Sequence, residues 1–243
     1  MTFEMPTEAT PVVVVCGDAL DVLRSLPDGC VDAVVTDPPY GISYATNFAV
    51  GGVGATWRGR PIAGDDDTAL RDAAVGFARA RRLPWACFGS WKVPKPVGVR
   101  GVLIWDKGPA FGMGDLSFPW KGSWEEIYVG GYGWAGHRDE GVLKGHLVHS
   151  HESRGRTHPT EKPVSLLREL IQKLPADCVI LDPFAGSGTT GVAAVAEGRR
   201  AILVEKEPKY ADICRRRVAE AMGMGAGSLL KATVPDLFTG VGE

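Results

Sequence analysis

The chain has 243 residues, of which 44% are apolar and 23% carry a charge, and its formal net charge is −2. This composition is typical of a globular protein and excludes a disordered chain. The charge balance excludes a globally basic nucleic-acid binder, so any DNA contact must come from a local patch. No apolar run reaches the roughly 18 residues of a transmembrane helix, and the acidic start MTFEMPTEAT predicts no export signal. We therefore expect a cytoplasmic protein without a membrane contact.

The first half of the chain alternates apolar runs with amphipathic segments. Strands are predicted in PVVVVCGDAL, VDAVVTDPP, LPWACFGS, GVLIWDKG and EEIYVGG, and helices in ALDVLRSLPDG and DDDTALRDAAVGFARARR. Residues 41–64 are glycine-rich and aperiodic, and they are too many for a plain connector. We expect them to form a mobile loop over a site.

The regular pattern lapses at residues 131–161, which are rich in Gly, His and Arg, and then returns. Helices are predicted in PVSLLRELIQKL, TTGVAAVAEG and KYADICRRRVAEAM, and strands in CVILDPF and RAILVEKEP. Strands separated by helices predict an α/β fold with a doubly wound, mostly parallel sheet. We expect a flexible tail at 1–10, a single domain at 11–222 and a second tail at 223–243. Ligand sites in such folds lie at the carboxyl ends of the strands.

Four apolar strands end in an acidic residue: Asp18, Asp37, Asp182 and Glu205. At Asp37, in VDAVVTDPPYGISY, the apolar run stops and two prolines and a tyrosine follow at once. Proline cannot continue a strand ladder or sit easily within a helix. The sequence therefore predicts a rigid corner with a carboxylate and an aromatic ring just beyond a buried strand.

The stretch DPFAGSGTTGVAAVA follows its strand with Gly186 and Gly188 and opens a helix at Thr189. Glycines let a ligand approach the backbone, and a helix N-terminus offers free N–H groups. The stretch lacks the G-K-[ST] ending of a P-loop and the G-x-G-x-x-G spacing of a dinucleotide fold. Asp182 before this turn suits a ligand with an ammonium group, and Glu205 suits ribose hydroxyls. An amino acid joined to a nucleoside indicates S-adenosylmethionine.

Asp18 has two interpretations. It could accept a hydrogen bond from the adenine amino group of that cofactor, or it could cap the helix ALDVL. Both roles can coexist.

The segments DPPY, FAGSGTT and HPTEKPVSLL together resemble amino-group DNA methyltransferases, which modify adenine N6 or cytosine N4. The catalytic motif comes first and the cofactor loop last, an order that resembles the beta group of that family. The resemblance implies a Rossmann-like, S-adenosyl-L-methionine-dependent methyltransferase fold. It also implies a small target-recognition insertion at about 107–158.

The resemblance implies roles for individual residues. Asp37 and the carbonyl of Pro38 would accept hydrogen bonds from the target amine, Pro39 would fix the corner, and Tyr40 would stack on a base extruded from the duplex. The implied cofactor-binding residues are Asp18, Thr160, Lys162, Asp182, Phe184, Gly186, Gly188, Thr189 and Glu205. Lys162 could instead be a solvated lysine in front of a proline at a helix start.

Double-stranded DNA is the expected partner, and it requires phosphate contacts. The predicted contacts are Arg58, Arg60, Arg138, Lys144, Arg154 and Arg156, with a plain solvated surface as the alternative. A homodimer could enlarge the DNA footprint, and a cognate restriction endonuclease is a further possible partner. We expect Trp105, Trp120, Trp124 and Trp134 to be packing residues rather than base-stackers.

Cysteines and histidines give no metal signal. Five cysteines are scattered without a C-x-x-C pair, mostly in apolar runs, which predicts buried free thiols in a reducing compartment. His146, His149 and His151 lie close together, but no cysteine joins them and their spacing matches no zinc finger.

Adenine N6 is the favoured target, because an Asp in the catalytic tetrapeptide is more frequent in adenine enzymes, although DPPY also occurs in cytosine N4 enzymes. Methylation of RNA or of a protein glutamine goes more often with Asn before the two prolines. A non-catalytic DNA or cofactor binder is the remaining alternative.

Overall fold

The computed structural model describes residues 5–42, 64–108, 117, 119–120, 122–144 and 161–224. Most of the predicted loop at 41–64 and of the tail at 223–243 lies outside these residues, as does part of the predicted insertion. So do five predicted site residues: Thr160, Arg58, Arg60, Arg154 and Arg156.

Eight strands form one sheet in the described part of the chain. They are β1 (Val12–Cys16), β2 (Ala33–Thr36), β3 (Trp85–Gly89), β4 (Val99–Asp106), β5 (Trp124–Gly130), β6 (Val142–Lys144), β7 (Val179–Asp182) and β8 (Arg200–Glu205). Their order across the sheet is β1-β8-β7-β2-β3-β5-β4-β6. All neighbouring pairs are parallel except those of β5, which runs antiparallel to both β3 and β4.

Five helices of the described residues cover the two faces of this sheet. They are α1 (Ala19–Ser25), α2 (Ala69–Ala80), α3 (Val164–Ile171), α4 (Thr189–Ala196) and α5 (Pro208–Ala221). Alternate strand residues point to opposite faces, so Val12 and Val14 pack with α3, α4 and α5 in one apolar core. Val13 and Val15 pack with α1 and α2 in the other. The prediction of a doubly wound, mostly parallel α/β fold is confirmed.

β5 and β6 do not follow the predicted alternation of strands and helices. β6 is a three-residue strand within the stretch 131–161, where no regular structure was expected, and it pairs with β4. β5 and β6 both fall in the range 107–158 expected as an insertion, yet they are strands of the central sheet. Within the described residues, no helix combines the length and apolar character needed to cross a bilayer.

The topology brings the ends of the parallel strands to one edge of the sheet. We call it the carboxyl edge, because β1, β8, β7, β2, β3 and β4 all end there. Since β5 runs the other way, its first residues lie at this same edge, where Trp124 pairs with Asp106 at the end of β4. The carboxyl edge therefore holds the last residues of all the parallel strands and the first residues of β5.

Candidate active site

Asp37 stands at the carboxyl edge directly after β2, and the described structure holds the corner around it firmly. Tyr40 donates a hydrogen bond from its hydroxyl to Asp37 Oδ1 over 2.8 Å. Just beyond, the buried carboxylate of Asp65 accepts a hydrogen bond of 2.7 Å from the Gly41 amide. Gly41 has a φ of 75°, and a Cβ there would lie 2.5 Å from the carbonyl oxygen of Asp67. The segment DPPYG is thus fixed by its own prolines and by Asp65.

Lys162 lies in the same corner. Its side chain is only 8% exposed, and its Nζ lies 2.7 Å from Asp37 Oδ2. The ammonium also donates to the Tyr40 hydroxyl at 3.1 Å. It is nearer to that hydroxyl than to the ring centroid, 5.5 Å away, so it engages the hydroxyl end of the ring rather than its face. The interpretation of Lys162 as a solvated lysine is wrong, because Pro163, the N-cap of α3, starts the helix with the preceding side chain turned inward.

Glu125, the second residue of β5, completes a buried group of charges. Its Oε2 lies 3.4 Å from the ammonium of Lys162 and accepts a hydrogen bond of 3.3 Å from Tyr40. Its Oε1 accepts a hydrogen bond from Lys107, which follows β4. Two carboxylates and two ammonium groups therefore balance one another, which limits the cost of burying them. We call Asp37, Tyr40, Lys107, Glu125 and Lys162 the charge cluster.

Burial and pairing compete in setting the pKa values of the charge cluster. Burial raises the pKa of the Asp37 carboxyl, and the Lys162 ammonium acts against that rise. Burial alone would lower the pKa of Lys162, but Asp37 and Glu125 outweigh it and raise that pKa. Burial opposes ionisation of Glu125 as well, yet Lys162 and Lys107 bring its pKa below the usual value. Lys162 is therefore a cation that opposes the effect of burial and favours the ionised form of Asp37.

Asp182 ends β7, the strand beside β2, and is 2% exposed. Its Oδ1 accepts hydrogen bonds from Thr36 Oγ1 at 2.8 Å and from the Phe184 amide at 3.1 Å. Its Oδ2 accepts one from Thr190 Oγ1 at 2.6 Å. Burial outweighs these bonds and raises the pKa of Asp182 to about 6. A carboxylate offers about four acceptor positions, so one position remains for a further donor, and a cation would relieve the burial of its charge.

Gly186 and Gly188 in the following turn have different reasons to be glycine. Gly186 has a φ of 52° and no atom within 4 Å of a Cβ built on it, so the turn borders open space there. Gly188 has a φ of 84°, and a Cβ there would lie 2.5 Å from Cys214 Sγ on α5. Gly188 therefore allows close packing between the turn and α5, whereas Gly186 leaves the backbone accessible to a ligand.

Glu205 ends β8 next to this turn. One carboxylate oxygen accepts a hydrogen bond from the Gly186 amide at 2.9 Å, and the other accepts one from the Glu207 amide at 2.8 Å. The half-buried carboxylate is thereby held in place with one acceptor position free on each oxygen. That geometry suits a pair of neighbouring hydroxyl groups.

Asp18 follows β1, the strand next to β8 in the sheet. Gly17 donates from its amide to the Glu205 carbonyl at 3.0 Å, so Asp18 lies at the carboxyl edge near Glu205. Asp18 is the N-cap of α1 and accepts a hydrogen bond of 2.9 Å from the Leu20 amide. Its other oxygen lies 3.2 Å from Lys206 Nζ. The helix-cap interpretation is confirmed, and the contact with adenine stays a prediction.

Thr189 and the segment before α3 are joined by Arg217 on α5. Arg217 donates to Ser187 Oγ at 2.7 Å, to the Ser187 carbonyl at 2.9 Å and to Thr189 Oγ1 at 3.3 Å. It also forms an ion pair of 2.6 Å with Glu161, the residue before Lys162. One guanidinium thus holds the glycine turn and the segment that supplies Lys162 in a fixed relation.

These residues fit S-adenosyl-L-methionine. Asp182 has a free acceptor position for an ammonium group, Glu205 presents two for a ribose diol, and the space beside Gly186 is open to a ligand. Phe184 is half-buried in the turn between them. Within the described residues, no cluster of three or more His, Cys, Asp or Glu could hold a metal ion.

The predicted DNA-contacting residues are only partly described. Lys144, of which the backbone is described, is the last residue of β6 and pairs with Asp106 at the carboxyl edge. Arg138 is exposed, but its neighbour Asp139 pairs with Lys173, beyond the end of α3. Since α3 starts next to Lys162, its far end lies away from Asp37. The structure therefore does not bring Arg138 to the charge cluster.

Four residues with evident structural roles at the site were not predicted: Lys107, Glu125, Asp65 and Arg217. Lys107 and Glu125 flank a region without a recognisable motif, and Glu125 starts a strand rather than ending one. Arg217 lies within RRR, but it is three residues after the buried Cys214 and one before the buried Val218. Its helical spacing from that apolar stripe was the available signal.

Comparison with known proteins places this chain in a family. The family model N6_N4_Mtase, described as DNA methylase, matches residues 99–216. The protein YubD of Escherichia coli (strain K12), which is named as a methylase, is 30% identical over 232 residues, covering 87% of this chain and 93% of that protein.

Solved structures share the fold at lower identity. The M1.HpyAVI–SAM complex has a TM-score of 0.60 at 19% identity and covers 85% of this chain and 99% of its own. The PvuII DNA methyltransferase, specific for cytosine N4, has a TM-score of 0.63 at 15% identity, with 94% and 95% covered. Taken with the match over nearly the whole length of YubD, these findings lead to one conclusion. The chain belongs to the N6/N4 family of DNA methylases, which use S-adenosyl-L-methionine as the methyl donor.

Proposed function

We propose that this protein transfers the methyl group of S-adenosyl-L-methionine to the exocyclic N6 of adenine in a short DNA sequence, with cytosine N4 as the alternative target. One hydrogen bond carries the proposal. Thr36, the residue before Asp37, donates from its hydroxyl to Asp182 Oδ1 over 2.8 Å. The corner expected to hold the base and the turn expected to hold the cofactor are therefore direct neighbours on paired strands. Methyl transfer requires such proximity, because donor and acceptor atoms must approach in line.

At the cofactor end, we assign Asp182 to the ammonium group of the methionine moiety and Glu205 to the ribose hydroxyls. Phe184 and Gly186 line the space between them. The free acceptor positions on both carboxylates and the open space at Gly186 support these roles. When bound, the cofactor supplies an electrophilic methyl group on a sulfonium.

At the base end, Asp37 accepts a hydrogen bond from the target amine. Tyr40 and Lys162 occupy one acceptor position on each carboxylate oxygen, which leaves one position on each for the amine. The Pro38 carbonyl accepts the second hydrogen of the amine, and Pro39 adds no N–H that could compete. These two hydrogen bonds draw the amine hydrogens out of the plane of the base, which makes the nitrogen lone pair available to the methyl group.

Tyr40 stacks on the extruded base. Its hydroxyl is anchored to Asp37 and Glu125, which fixes the plane of the ring beside the carboxylate. Stacking on an aromatic side chain is worth about 1–3 kcal/mol per base, which replaces part of the stacking lost from the duplex.

The choice of adenine rests on the Asp of DPPY, by resemblance to adenine enzymes. The fold does not discriminate, since the cytosine-N4-specific PvuII enzyme has a similar one. The deciding experiment incubates DNA with the protein and isotopically labelled cofactor and identifies the methylated nucleoside by mass spectrometry. Label in N6-methyladenine supports the proposal, label in N4-methylcytosine selects the alternative, and label in neither overturns both. Asp37→Ala is the matched variant, which should lose transfer and keep cofactor binding.

A further inference from the structure

The loop at residues 90–98 leaves β3 at the carboxyl edge and crosses to the start of β4. Its beginning is fixed, because Tyr128 donates from its hydroxyl to the Ser90 carbonyl at 3.1 Å. Its middle is fixed by Arg71 on α2, which is 2% exposed and donates to the Pro94 carbonyl at 2.8 Å. We call these residues the crossing loop. It is anchored at two points and has two prolines, so its outward side chains have defined positions.

The crossing loop presents an exposed tryptophan and two exposed lysines. Trp91 is 66% exposed, and Lys92 and Lys95 are exposed beside it. The sequence of the loop, SWKVPKPVG, contains no acidic residue. A tryptophan that is two-thirds exposed on an anchored loop is unusual on a surface with no partner, because burial of its large apolar area is favourable.

A second exposed tryptophan, Trp124, starts the neighbouring strand β5. The β3–β5 pairing places Gly89, the last residue of β3, opposite Glu126, so the segments that carry Trp91 and Trp124 both reach the carboxyl edge. Trp124 is 41% exposed, and Trp120, four residues earlier, is 73% exposed. The expectation that Trp120 and Trp124 are packing residues is therefore wrong. It is confirmed for Trp105, which is 2% exposed, and for the half-buried Trp134.

We infer that Trp91, Lys92, Lys95 and Trp124 form a DNA-contacting surface beside the charge cluster, with the tryptophans stacking on unpaired bases next to the target and the lysines contacting backbone phosphates. The inference rests on the proposed function, because extrusion of a base leaves its partner and its neighbours without a stacking surface. Aromatic side chains next to cations are the combination that binds unpaired nucleic acid strands.

The position of this surface favours DNA over a protein partner. Trp124 starts β5 and is followed by Glu125, which belongs to the charge cluster, so the surface begins next to the predicted base pocket. DNA whose target base occupies that pocket must lie across the carboxyl edge. The positive charge of the lysines, without an acid in the loop, complements the phosphates.

The test measures the affinity of the full-length protein for a duplex that it methylates, by fluorescence anisotropy at several salt concentrations. Trp91→Ala should raise the Kd for this DNA about tenfold or more, and Trp91→Phe should restore most of the affinity. Lys92→Gln should reduce the slope of log Kd against log salt by about 1. The Kd for the cofactor should be unchanged in all three variants.

Two variants serve as matched controls. Tyr132 is 60% exposed but follows β5 at the opposite edge of the sheet, and Arg216 is exposed on α5. Tyr132→Ala and Arg216→Gln should bind DNA as the wild type does. If Trp91→Ala and Lys92→Gln also bind DNA as the wild type does, the inference is overturned and the surface belongs to another partner.

Failure of the proposed function would look different. If the wild-type protein binds DNA but methylates none, the proposed function fails. A loss of DNA binding in Trp91→Ala would then still support a DNA-contacting surface, but not stacking on bases next to an extruded target.

Discussion

The ammonium of Lys162 lies 2.7 Å from Asp37 Oδ2, although the two residues come from opposite halves of the chain. Lys162 stands in HPTEKP, a segment that by resemblance borders the cofactor, yet its side chain reaches the carboxylate expected to hold the base. The same segment is tied to the glycine turn through Glu161 and Arg217. The residues before α3 therefore connect the two halves of the proposed active site.

Replacing Lys162 with Met should raise the pKa of Asp37 further, because the cation that opposes its burial is lost. In the proposed mechanism the ionised carboxylate is the stronger acceptor for the amine, so activity should disappear at a higher pH than in the wild type as the pH falls. Each unit of this shift corresponds to a tenfold loss of rate in the acid range. The measurement is kcat/KM for methyl transfer as a function of pH.

The loss of Lys162 also leaves the charge cluster with one net negative charge, which should destabilise the fold. Breaking a buried ion pair costs roughly 3–5 kcal/mol. The double variant Lys162→Met with Glu125→Gln restores neutrality, so it should recover part of the free energy of unfolding while activity stays low. If the fall of kcat/KM at low pH occurs at the same pH in both variants as in the wild type, Lys162 does not lower the pKa of Asp37.

Cofactor affinity should depend on pH through Asp182, whose pKa in the free protein is about 6. The ammonium group of the cofactor favours the ionised carboxylate, so binding lowers this pKa. The affinity is then fully present above about pH 6 and weakens as the pH falls through that value, by up to tenfold per unit. Isothermal titration between pH 5 and pH 8, about one to two units either side of that value, measures this dependence.

Asp182→Asn is the matched variant for that titration. Its amide can still accept from Thr36 and can donate to Thr190, so the fold should survive. Its cofactor affinity should be lower at neutral pH and nearly independent of pH around 6. A wild-type affinity that stays constant across this range would argue against contact between Asp182 and the ammonium group.

The two glycines of the cofactor turn should respond differently to alanine. Gly188→Ala places a methyl group 2.5 Å from Cys214 Sγ at a positive φ, and should lower the free energy of unfolding by about 2 kcal/mol or more. Gly186→Ala meets no atom, so it should cost only the roughly 1 kcal/mol of its backbone conformation while weakening cofactor binding. Urea unfolding and cofactor titration of both variants measure these effects. The assignment is wrong if Gly186→Ala loses more stability and Gly188→Ala loses more cofactor affinity.

Arg217→Gln should weaken cofactor binding without touching the cofactor. It removes the ion pair with Glu161 and loosens the hydrogen bonds that hold Ser187 and Thr189. We expect a several-fold higher KM for the cofactor and a loss of about 2 kcal/mol in the free energy of unfolding. Arg216→Gln, on the exposed side of the same helix, is the control and should change neither quantity.

Most of the strands could be predicted from the sequence because they are buried on both faces and are therefore short, continuous apolar runs. Runs such as VVVVC and AVVT are apolar without alternation, which is typical of central parallel strands. The three residues of β6 are too few to leave a period. The direction of β5 is not encoded locally, because a strand has the same side-chain pattern whether its neighbours are parallel or antiparallel.

The site was predictable where chemistry coincides with a strand end or a motif. Asp37, Asp182 and Glu205 could be proposed from the sequence because parallel strands present their ends at one edge. Glu125 was not predicted by this rule, because the reversed direction of β5 brings the start of a strand, and not its end, to the carboxyl edge. Its partner Lys107 was missed for the same reason, because without Glu125 nothing marks that lysine as buried.

The strand order β1-β8-β7-β2 has a consequence for synthesis of the chain. β1 and β2 are translated well before the two strands that separate them, which lie within residues 179–205. Until then, both apolar strands have open edges facing the gap that β7 and β8 will fill. Native pairing must therefore wait for late, distant contacts, which makes folding slow and exposes the nascent protein to aggregation.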